Sequence, residues 1–291
     1  MSKNTNTNNK LKFGLGNAKL AATIGTFSLP AGHSCPFAKE CLSKSDRVTG
    51  KIIDGAHCKF RCFAASQEMI FTNVRKMRWT NLEMLHFAGT MEKMAELIQN
   101  SLPWGISIIR VHVSGDYFSE NYFLAWLNVA INNPHVTFYG YTKATPFLVK
   151  YKKYLPNNFR FTASKGGTCD SLIGKHKLKS AEVVFSVNEA KQKGLEIDHD
   201  DSHAFGDSGS FALLLHGMQK QGTDAAQALI ALRKEGIMGY GKFNTFRKAA
   251  QDTQKKVVVY VTVKDGKVHL PKAKKMLFTP KYDGVRKLMT A

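Results

Sequence analysis

Short strand-like runs alternate with helix-like segments through most of the chain, and this alternation restricts the folds open to it. The strand-like runs, rich in β-branched and aromatic residues, cover 20–30, 105–116, 135–143, 159–167, 181–188, 194–201 and 209–217. Helical periodicity covers 64–99, 120–131, 146–155 and 223–236. Within 64–99 we expect breaks near Thr80-Asn81 and near Gly89.

Strands separated by helices favour βα units and a parallel sheet. Six or seven such strands predict an α/β fold, a parallel βα partial barrel or a closed barrel of the TIM type. A doubly wound open sheet is the alternative, because periodicity does not report whether a sheet closes.

The two ends of the chain differ in character from its middle. The first ten residues are polar and rich in asparagine, which predicts a disordered N-terminal tail over 1–12. Near the C-terminus, alternating runs flank Asp265-Gly266, a dipeptide typical of tight hairpin turns. We therefore expect a barrel-like domain over 13–250 with a cysteine-rich metal loop at 33–63, followed by a basic β-hairpin and tail over 251–291.

Composition favours a soluble cytoplasmic protein. The chain has 291 residues and is 43% hydrophobic, which suffices for a substantial core. No run of eighteen apolar residues occurs, and the N-terminus lacks the apolar stretch of a signal peptide. In a reducing cytoplasm, clustered cysteines are metal ligands or reactive thiols more often than disulfides.

Four of the five cysteines, Cys35, Cys41, Cys58 and Cys62, lie within 28 residues that follow the first strand. Thiolates bind zinc or hold iron–sulfur clusters. The gaps of five and three residues are wider than the usual two of a zinc knuckle, and they favour a [4Fe-4S] cluster, whose irons require a wider spread of sulfurs. Zn²⁺ and an unmetallated cysteine core are the alternatives.

The charge of the chain predicts a polyanionic partner. Lys and Arg number 42 against 22 Asp and Glu, a formal charge of +20. Such a positive field attracts nucleic acid, either DNA or RNA. The alternative is a basic protein whose charge only aids its solubility. The basic residues expected to contact phosphates are Arg61, Arg75, Lys76, Arg78, Lys143 and Lys165.

Polar residues follow each predicted strand of the barrel. In parallel βα architectures, binding groups gather at the carboxyl ends of the strands. The cofactor-binding residues predicted on this basis are Ser114, Gly115, Asp116, Thr142, Lys143 and Ser164. The acids of 196–201 with His199 and His203 would suit a second site for Mg²⁺ or Mn²⁺, although acids here equally cap helices or offset basic charge.

A cysteine loop after the first strand, followed by the Ser114-Gly115-Asp116 turn after the second, resembles the layout of radical S-adenosylmethionine enzymes. The resemblance implies a [4Fe-4S] cluster held by three cysteines and S-adenosylmethionine bound near that turn. The spacing departs from those enzymes, which separate their cysteines by three and then two residues. Here Cys58 and Cys62 give the three, and no third cysteine follows.

The motifs "FSLPAGHSCP", "RCFAAS", "RVHVSGDYFS" and "YTKATPF" resemble a phage- and plasmid-borne family, the mycobacteriophage gene-eighty-eight-like proteins. The likeness spans about residues 15–200. It implies that the cysteines are metal ligands and that the chain comes from a bacteriophage or mobile element, which would place it in the host cytoplasm. It implies no particular reaction.

Three hypotheses follow for the function. The first is an iron–sulfur protein with four cysteine ligands that binds nucleic acid through its basic surface. The second is a radical S-adenosylmethionine-like enzyme that uses three of the cysteines. The third is a zinc-stapled nucleic-acid-binding module. Metal content separates the third from the other two, and the response to S-adenosylmethionine separates the first from the second.

Overall fold

The computed structural model describes residues 10–17, 20–237, 262–264 and 267–269. The strands are β1 (Gly14–Leu15), β2 (Ile24–Ser28), β3 (Ser43–Ser45), β4 (Ile52–Asp54), β5 (Ile108–Ser114), β6 (Thr137–Thr142), β7 (Phe159–Ser164), β8 (Ser180–Val184), β9 (Phe211–Leu214), β10 (Thr262–Lys264) and β11 (Lys267–His269). The α-helices are α1 (Phe63–Ile70), α2 (Thr72–Ala88), α3 (Met91–Gln99), α4 (Glu120–Asn132), α5 (Thr145–Lys150), α6 (Ser171–Lys175), α7 (Val187–Gln192), α8 (Ser202–Phe205) and α9 (Asp224–Lys234). A single 3-10 turn covers Lys152–Tyr154.

Seven strands form one mostly parallel sheet in the order β1-β2-β5-β6-β7-β8-β9. The short β1 pairs antiparallel with β2, and every other pairing in this sheet is parallel. The α/β prediction is confirmed. Within the described residues the sheet is open, with β1 and β9 at its two edges, so the closed-barrel expectation is wrong for them. The strands follow one another in chain order, without the reversal of a doubly wound sheet.

The two faces of the sheet bury different side chains, because successive residues of a strand point to opposite sides. On β6, Phe138 joins the core that α2, α3 and α4 form over one face, where Phe27 and Trp126 have ring centroids 5.5 Å apart. Tyr139 belongs to a smaller cluster with Ile24 and Phe211. Helices α2, α3 and α4 thus cover one face, while α8 packs on the second face through Ala204, beside the polar network described below.

A bulge interrupts the pairing of β2 with β5. Thr26 pairs with Arg110, yet Ser28 pairs with Ser114, so β5 carries two more residues than β2 over this interval. His112 lies within the bulge with φ 63°, a left-handed backbone conformation that residues other than glycine rarely adopt. The bulge therefore re-aims the end of β5, where the predicted cofactor turn begins.

Several predicted boundaries need correction. The helical run of 64–99 breaks at Phe71, which is extended, and at Gly89, as predicted. It does not break at Thr80-Asn81, because the Asn81 amide bonds to Lys12 and to the Ser28 carbonyl rather than to its own helix. Residues 194–201 do not form a strand and contribute one bridge, Ile197 to Ala212.

The chain divides into two compact units, Met1–Gly241 and Lys242–Ala291. In the second unit, β10 and β11 pair antiparallel, with Thr262 opposite His269. The hairpin turn predicted at Asp265-Gly266, the basic tail and most of the predicted disordered tail over 1–12 lie outside the described residues. In the part of the chain that the structure describes, no helix has the length and apolar composition of a membrane span.

Candidate metal and cofactor site

The cysteine loop is fixed to the rest of the sheet at both of its ends. Its first part pairs with the loop after β7: Ala38 forms a bridge with Gly167, and the Lys39 and Glu40 amides donate to the Gly166 carbonyl. Its last cysteine, Cys62, directly precedes α1. Between these points the β3–β4 hairpin folds back on itself. The loop is therefore held at the carboxyl ends of the parallel strands, as the sequence predicted.

Three of the four cysteines line one cleft of about 210 Å³ at this edge of the sheet, which we call the cysteine cleft. They are Cys35, Cys41 and Cys62. All six residues predicted to bind a cofactor line it as well: Ser114, Gly115, Asp116, Thr142, Lys143 and Ser164. The ends of the consecutive strands β5, β6 and β7 thus face the same space as three thiols.

Cys58 lies outside the lining of the cysteine cleft. Its Sγ lies 3.1 Å from the Phe60 carbonyl oxygen and 3.5 Å from the Ser43 hydroxyl. The same hydroxyl accepts a hydrogen bond from the Cys62 amide at 3.2 Å. Ser43 therefore links the backbone of Cys62, which lines the cleft, to the thiol of Cys58, which does not.

Burial and mutual proximity shape the electrostatics of these thiols. Burial raises the pKa of Cys35, and the charges of Asp116, Cys62 and Cys41 raise it further. Burial, followed by the charge of Cys41, raises the pKa of Cys62 to about 11. Burial also raises the pKa of Cys58. Without a cation these three thiols are neutral near pH 7, and thiolate ligation would release their protons.

The Asp116 carboxylate joins the ends of β5 and β6. It accepts hydrogen bonds from the Tyr117 amide at 2.8 Å, the Thr142 hydroxyl at 2.6 Å and the Lys143 amide at 2.7 Å. Burial raises its pKa, and these hydrogen bonds oppose the increase. Because its oxygens are already engaged, the carboxylate serves to shape the cleft wall.

The glycine of the same turn is required by its conformation and by its neighbours. Gly115 has φ 84°, and a Cβ there would lie 2.6 Å from both Leu29 Cβ and the Ser34 hydroxyl. The preceding Ser114 donates to Glu68 Oε1 at 3.3 Å. The turn therefore packs its backbone directly against the end of β2.

The Lys143 ammonium ties β6 to β7. Its Nζ donates to the Ser164 hydroxyl at 2.7 Å, the Ser164 carbonyl at 3.2 Å and the Lys165 carbonyl at 2.5 Å. These bonds use all three of its donors. Lys143 is buried. It acts as a clamp at the rim of the cleft.

Three of the arginines predicted to contact phosphates form internal bonds. Arg61 forms a two-pronged pair with Asp54, with nitrogen–oxygen distances of 2.8 to 3.0 Å. Arg75 and Arg78 are buried. Arg75 donates to backbone carbonyls, including that of Glu68, and Arg78 pairs with the Glu68 carboxylate at 2.8 Å. These guanidinium groups hold the protein together, and their contact with phosphates stays a prediction.

The predicted phosphate-binding lysines differ among themselves. Lys165 pairs with Glu182 at 2.8 Å, and both side chains are partly exposed. Lys76 is exposed on α2. Lys143 has the clamping role given above. Exposure thus leaves Lys76 and Lys165 accessible to a phosphate backbone.

A second cavity of about 580 Å³, which we call the inner chamber, adjoins the cysteine cleft and is lined from β2, β5, α1 and α2. Cys62, Arg110 and Tyr141 line both cavities. Arg110 pairs with Asp201 at 2.6 Å, and Asp201 also accepts hydrogen bonds from the Tyr139 and Tyr141 hydroxyls. Arg110 lies 5.0 Å above the Tyr141 ring.

The acids predicted to hold a second metal ion form bonds with neighbouring side chains in this region of the fold. Asp201 binds Arg110, and Asp198 binds the imidazole of His203 at 3.0 Å, whose other nitrogen contacts Glu196 at 2.9 Å. In the described part of the chain no group of three or more His, Cys, Asp or Glu side chains is arranged to hold a metal ion. The Mg²⁺ or Mn²⁺ site expected here stays a prediction, and its acids are engaged in the pairs given above.

Several cavity residues escaped the sequence analysis. Thr26 and Ser28 on β2 and Gln67 on α1 line the inner chamber. His112 lines the cysteine cleft, with its Nε2 2.9 Å from the Tyr122 hydroxyl. The available signal was the spacing of Thr26 and Ser28, which places two hydroxyls on one face of an otherwise apolar strand.

Comparisons with known proteins identify relatives of the chain. A family model described as Gene product 88 matches residues 2–234. The chain is 28% identical to the Gene 88 protein of Mycobacterium phage L5 over 135 residues, 42% of this chain and 50% of that protein, so it spans about half the length of this relative. No solved structure matches. The family match covers most of the chain, motifs and cysteines included, and the protein therefore belongs to the Gene product 88 family.

Proposed function

We propose that the protein holds a [4Fe-4S] cluster in the cysteine cleft through Cys35, Cys41 and Cys62, and that it is a radical S-adenosylmethionine-like enzyme. The observation that supports this most is the convergence of three thiols and the ends of β5, β6 and β7 on one cleft. The sheet, open and in chain order, fits the partial barrel of such enzymes.

The donor set suits a cluster better than a single ion. Thiols are the ligands that iron–sulfur clusters use. A single Zn²⁺ draws its ligands into one tetrahedron, whereas a cluster binds each cysteine at a different iron. With S-adenosylmethionine, a cluster of this kind supplies radical chemistry.

The chain's own residues would build and seal the site. The Asp116 carboxylate and the Lys143 ammonium fix the strand ends that form one wall. Phe60 and Phe63 line the cleft near Cys62 and would keep water from it. Cys58 would be a supporting residue, since its thiol contacts the Phe60 carbonyl and Ser43.

A second candidate is a closed cluster with four cysteine ligands in a nucleic-acid-binding protein. It is favoured by the proximity of Cys58 to the other thiols, because the charge of Cys41 contributes to the raised pKa of Cys58. The formal charge of +20 favours the nucleic-acid part. Its affinity for an oligonucleotide would fall steeply with added salt, because phosphate contacts release counterions.

Single serine substitutions separate the two candidates. Each variant, Cys35→Ser, Cys41→Ser, Cys58→Ser and Cys62→Ser, would be reconstituted anaerobically and analysed for iron, acid-labile sulfide and zinc. Cys169→Ser is the matched control, since Cys169 lies outside both cavities. We expect Cys58→Ser and the control to keep the full cluster and the other three variants to lose it. Equal loss in all four would favour the closed cluster, and zinc without sulfide would reject both.

A further inference from the structure

We propose that the inner chamber receives the base of a nucleotide from a nucleic-acid strand. This inference names the substrate class of the proposed enzyme, and it rests on that function for the chemistry of the adjoining cleft. Because Cys62, Val113 and Tyr141 line both cavities, an occupant of the chamber would lie beside the cysteines. The volume of about 580 Å³ falls within the usual range for small-ligand sites.

Two hydroxyls on β2 point to a ligand. Thr26 is 9% exposed and Ser28 is 7% exposed, and both line the chamber. Among the described residues neither hydroxyl has a side-chain hydrogen bond, and neither oxygen is one of the buried side-chain atoms that lack a partner, so both hydroxyls reach the space of the chamber, where a ligand can bond to them. The two residues are separated by two positions along one strand, roughly 7 Å, a span that the edge of a planar base can bridge.

Gln67 adds an oriented amide to the chamber. Its Oε1 accepts a hydrogen bond from Arg78 at 2.9 Å, and Arg78 is itself fixed by Glu68. The carbonyl end of the amide is therefore turned to Arg78, which leaves the amino group to donate. Base edges present both donors and acceptors, so an amide and two hydroxyls can read them.

The charges and walls of the chamber favour a neutral flat ligand over a charged metabolite. Arg110 is paired with Asp201, and Arg78 with Glu68, so a charged ligand would compete with existing ion pairs. Apolar and aromatic side chains form much of the remaining wall: Phe63, Val74, Met77, Val113, Tyr141 and Leu213. Enzymes that act on bases hold them unstacked between such side chains, and a chain of charge +20 attracts the strand that carries them.

The test uses the full chain and a single-stranded DNA oligonucleotide with one 2-aminopurine, a base whose fluorescence reports unstacking. We expect binding to change this fluorescence. Thr26→Val and Ser28→Ala should each weaken the affinity for the oligonucleotide about two- to tenfold, which is the effect of losing one hydrogen bond. Thr162→Val is the matched control, because Thr162 has a buried hydroxyl without a partner in the described residues and lies outside both cavities. It should bind like the wild type.

An abasic oligonucleotide and free adenosine complete the test. The abasic strand should bind equally to the wild type and to Thr26→Val, because its contacts are with phosphates alone. If Thr26→Val weakened binding of the abasic oligonucleotide as much as binding of the oligonucleotide with the base, the inference would be overturned. Adenosine could instead bind in a way that depends on Thr26 and Ser28 while the fluorescence of the oligonucleotide does not change. That result would reject a nucleic-acid strand as the ligand and assign the chamber to a free nucleoside.

Iron and sulfide measured on the same samples keep this inference distinct from the proposed function. A full cluster with no base binding would reject the inference alone. Base binding without any cluster would reject the enzyme and leave the chamber assigned. Melting temperatures check folding, and Thr26→Val should not lower that of the free protein, because the Thr26 hydroxyl faces the chamber and valine keeps the shape of the side chain.

Discussion

Burial of His112 makes the stability of the protein depend on pH in a defined window. Its ring lies 4.6 Å from the Tyr117 ring, and its Nε2 contacts the Tyr122 hydroxyl at 2.9 Å. Burial lowers the pKa of His112 to about 3, whereas an unfolded histidine titrates near 6.5. Above pH 6.5 both states are neutral. As the pH falls from 6.5 towards 3, only the unfolded chain takes up the proton, and stability is lost.

The size of the effect follows from linkage. Each pH unit well below 6.5 costs about 1.4 kcal/mol, so the wild type should lose about 2 kcal/mol from this group between pH 7.5 and pH 5. The variant is His112→Asn, because asparagine does not titrate and tolerates the left-handed conformation at φ 63°. It should be less stable at pH 7.5, since it lacks the bond to Tyr122.

Urea unfolding at pH 7.5, 6.5, 5.5 and 5.0 measures the difference. The free energies of unfolding of the wild type and of His112→Asn should converge by about 2 kcal/mol as the pH falls over this range. His135→Asn is the control, because His135 is exposed, and its curve should run parallel to that of the wild type. Parallel curves for wild type and His112→Asn would refute the assignment of a buried neutral imidazole.

Three further substitutions test the scaffold by urea unfolding. Gly115→Ala should cost at least about 1 kcal/mol, because φ 84° strains any side chain and a Cβ would collide with Leu29; a stability equal to wild type would contradict the close packing. Glu68→Ala should cost about 3–5 kcal/mol, since it leaves Arg78 buried and unpaired; a loss below 1 kcal/mol would show that the pair is not buried in solution. Glu182→Ala, which removes partly exposed ion pairs, should cost no more than about 1 kcal/mol, and a loss as large as that of Glu68→Ala would contradict this ranking.

The strands were predictable because burial between two layers selects β-branched and aromatic residues over short runs. Phe138 and Tyr139 show the limit of that signal, since they enter different cores and the sequence does not say which. The continuous helix at Asn81 was missed because its amide bonds to Lys12 and Ser28, which are distant in sequence. Propensity describes local alternatives, and a tertiary partner overrides them.

In the candidate site too, some features were predictable from local sequence and others depended on tertiary contacts. The cysteines and the polar strand ends were predictable, because parallel strands bring their carboxyl ends to one edge. The position of Cys58 outside the cleft was not predictable, since the spacing of the cysteines does not tell which thiol faces inward. The buried roles of Arg75 and Arg78 were also missed, because net charge counts residues without reporting their partners. The bulge at His112 depends on the pairing of two strands, and neither strand contains that information alone.

The proposed enzyme is distinguished from the other candidates by three cysteines that would hold a cluster with one open iron beside a binding cavity. Its most direct test is the visible and electron paramagnetic resonance spectrum of the anaerobically reconstituted, reduced protein before and after S-adenosylmethionine is added. A three-cysteine cluster would give about four irons and four sulfides per chain and a spectrum that shifts when S-adenosylmethionine is added. A complete cluster whose spectrum does not change, or one zinc without sulfide, would contradict it.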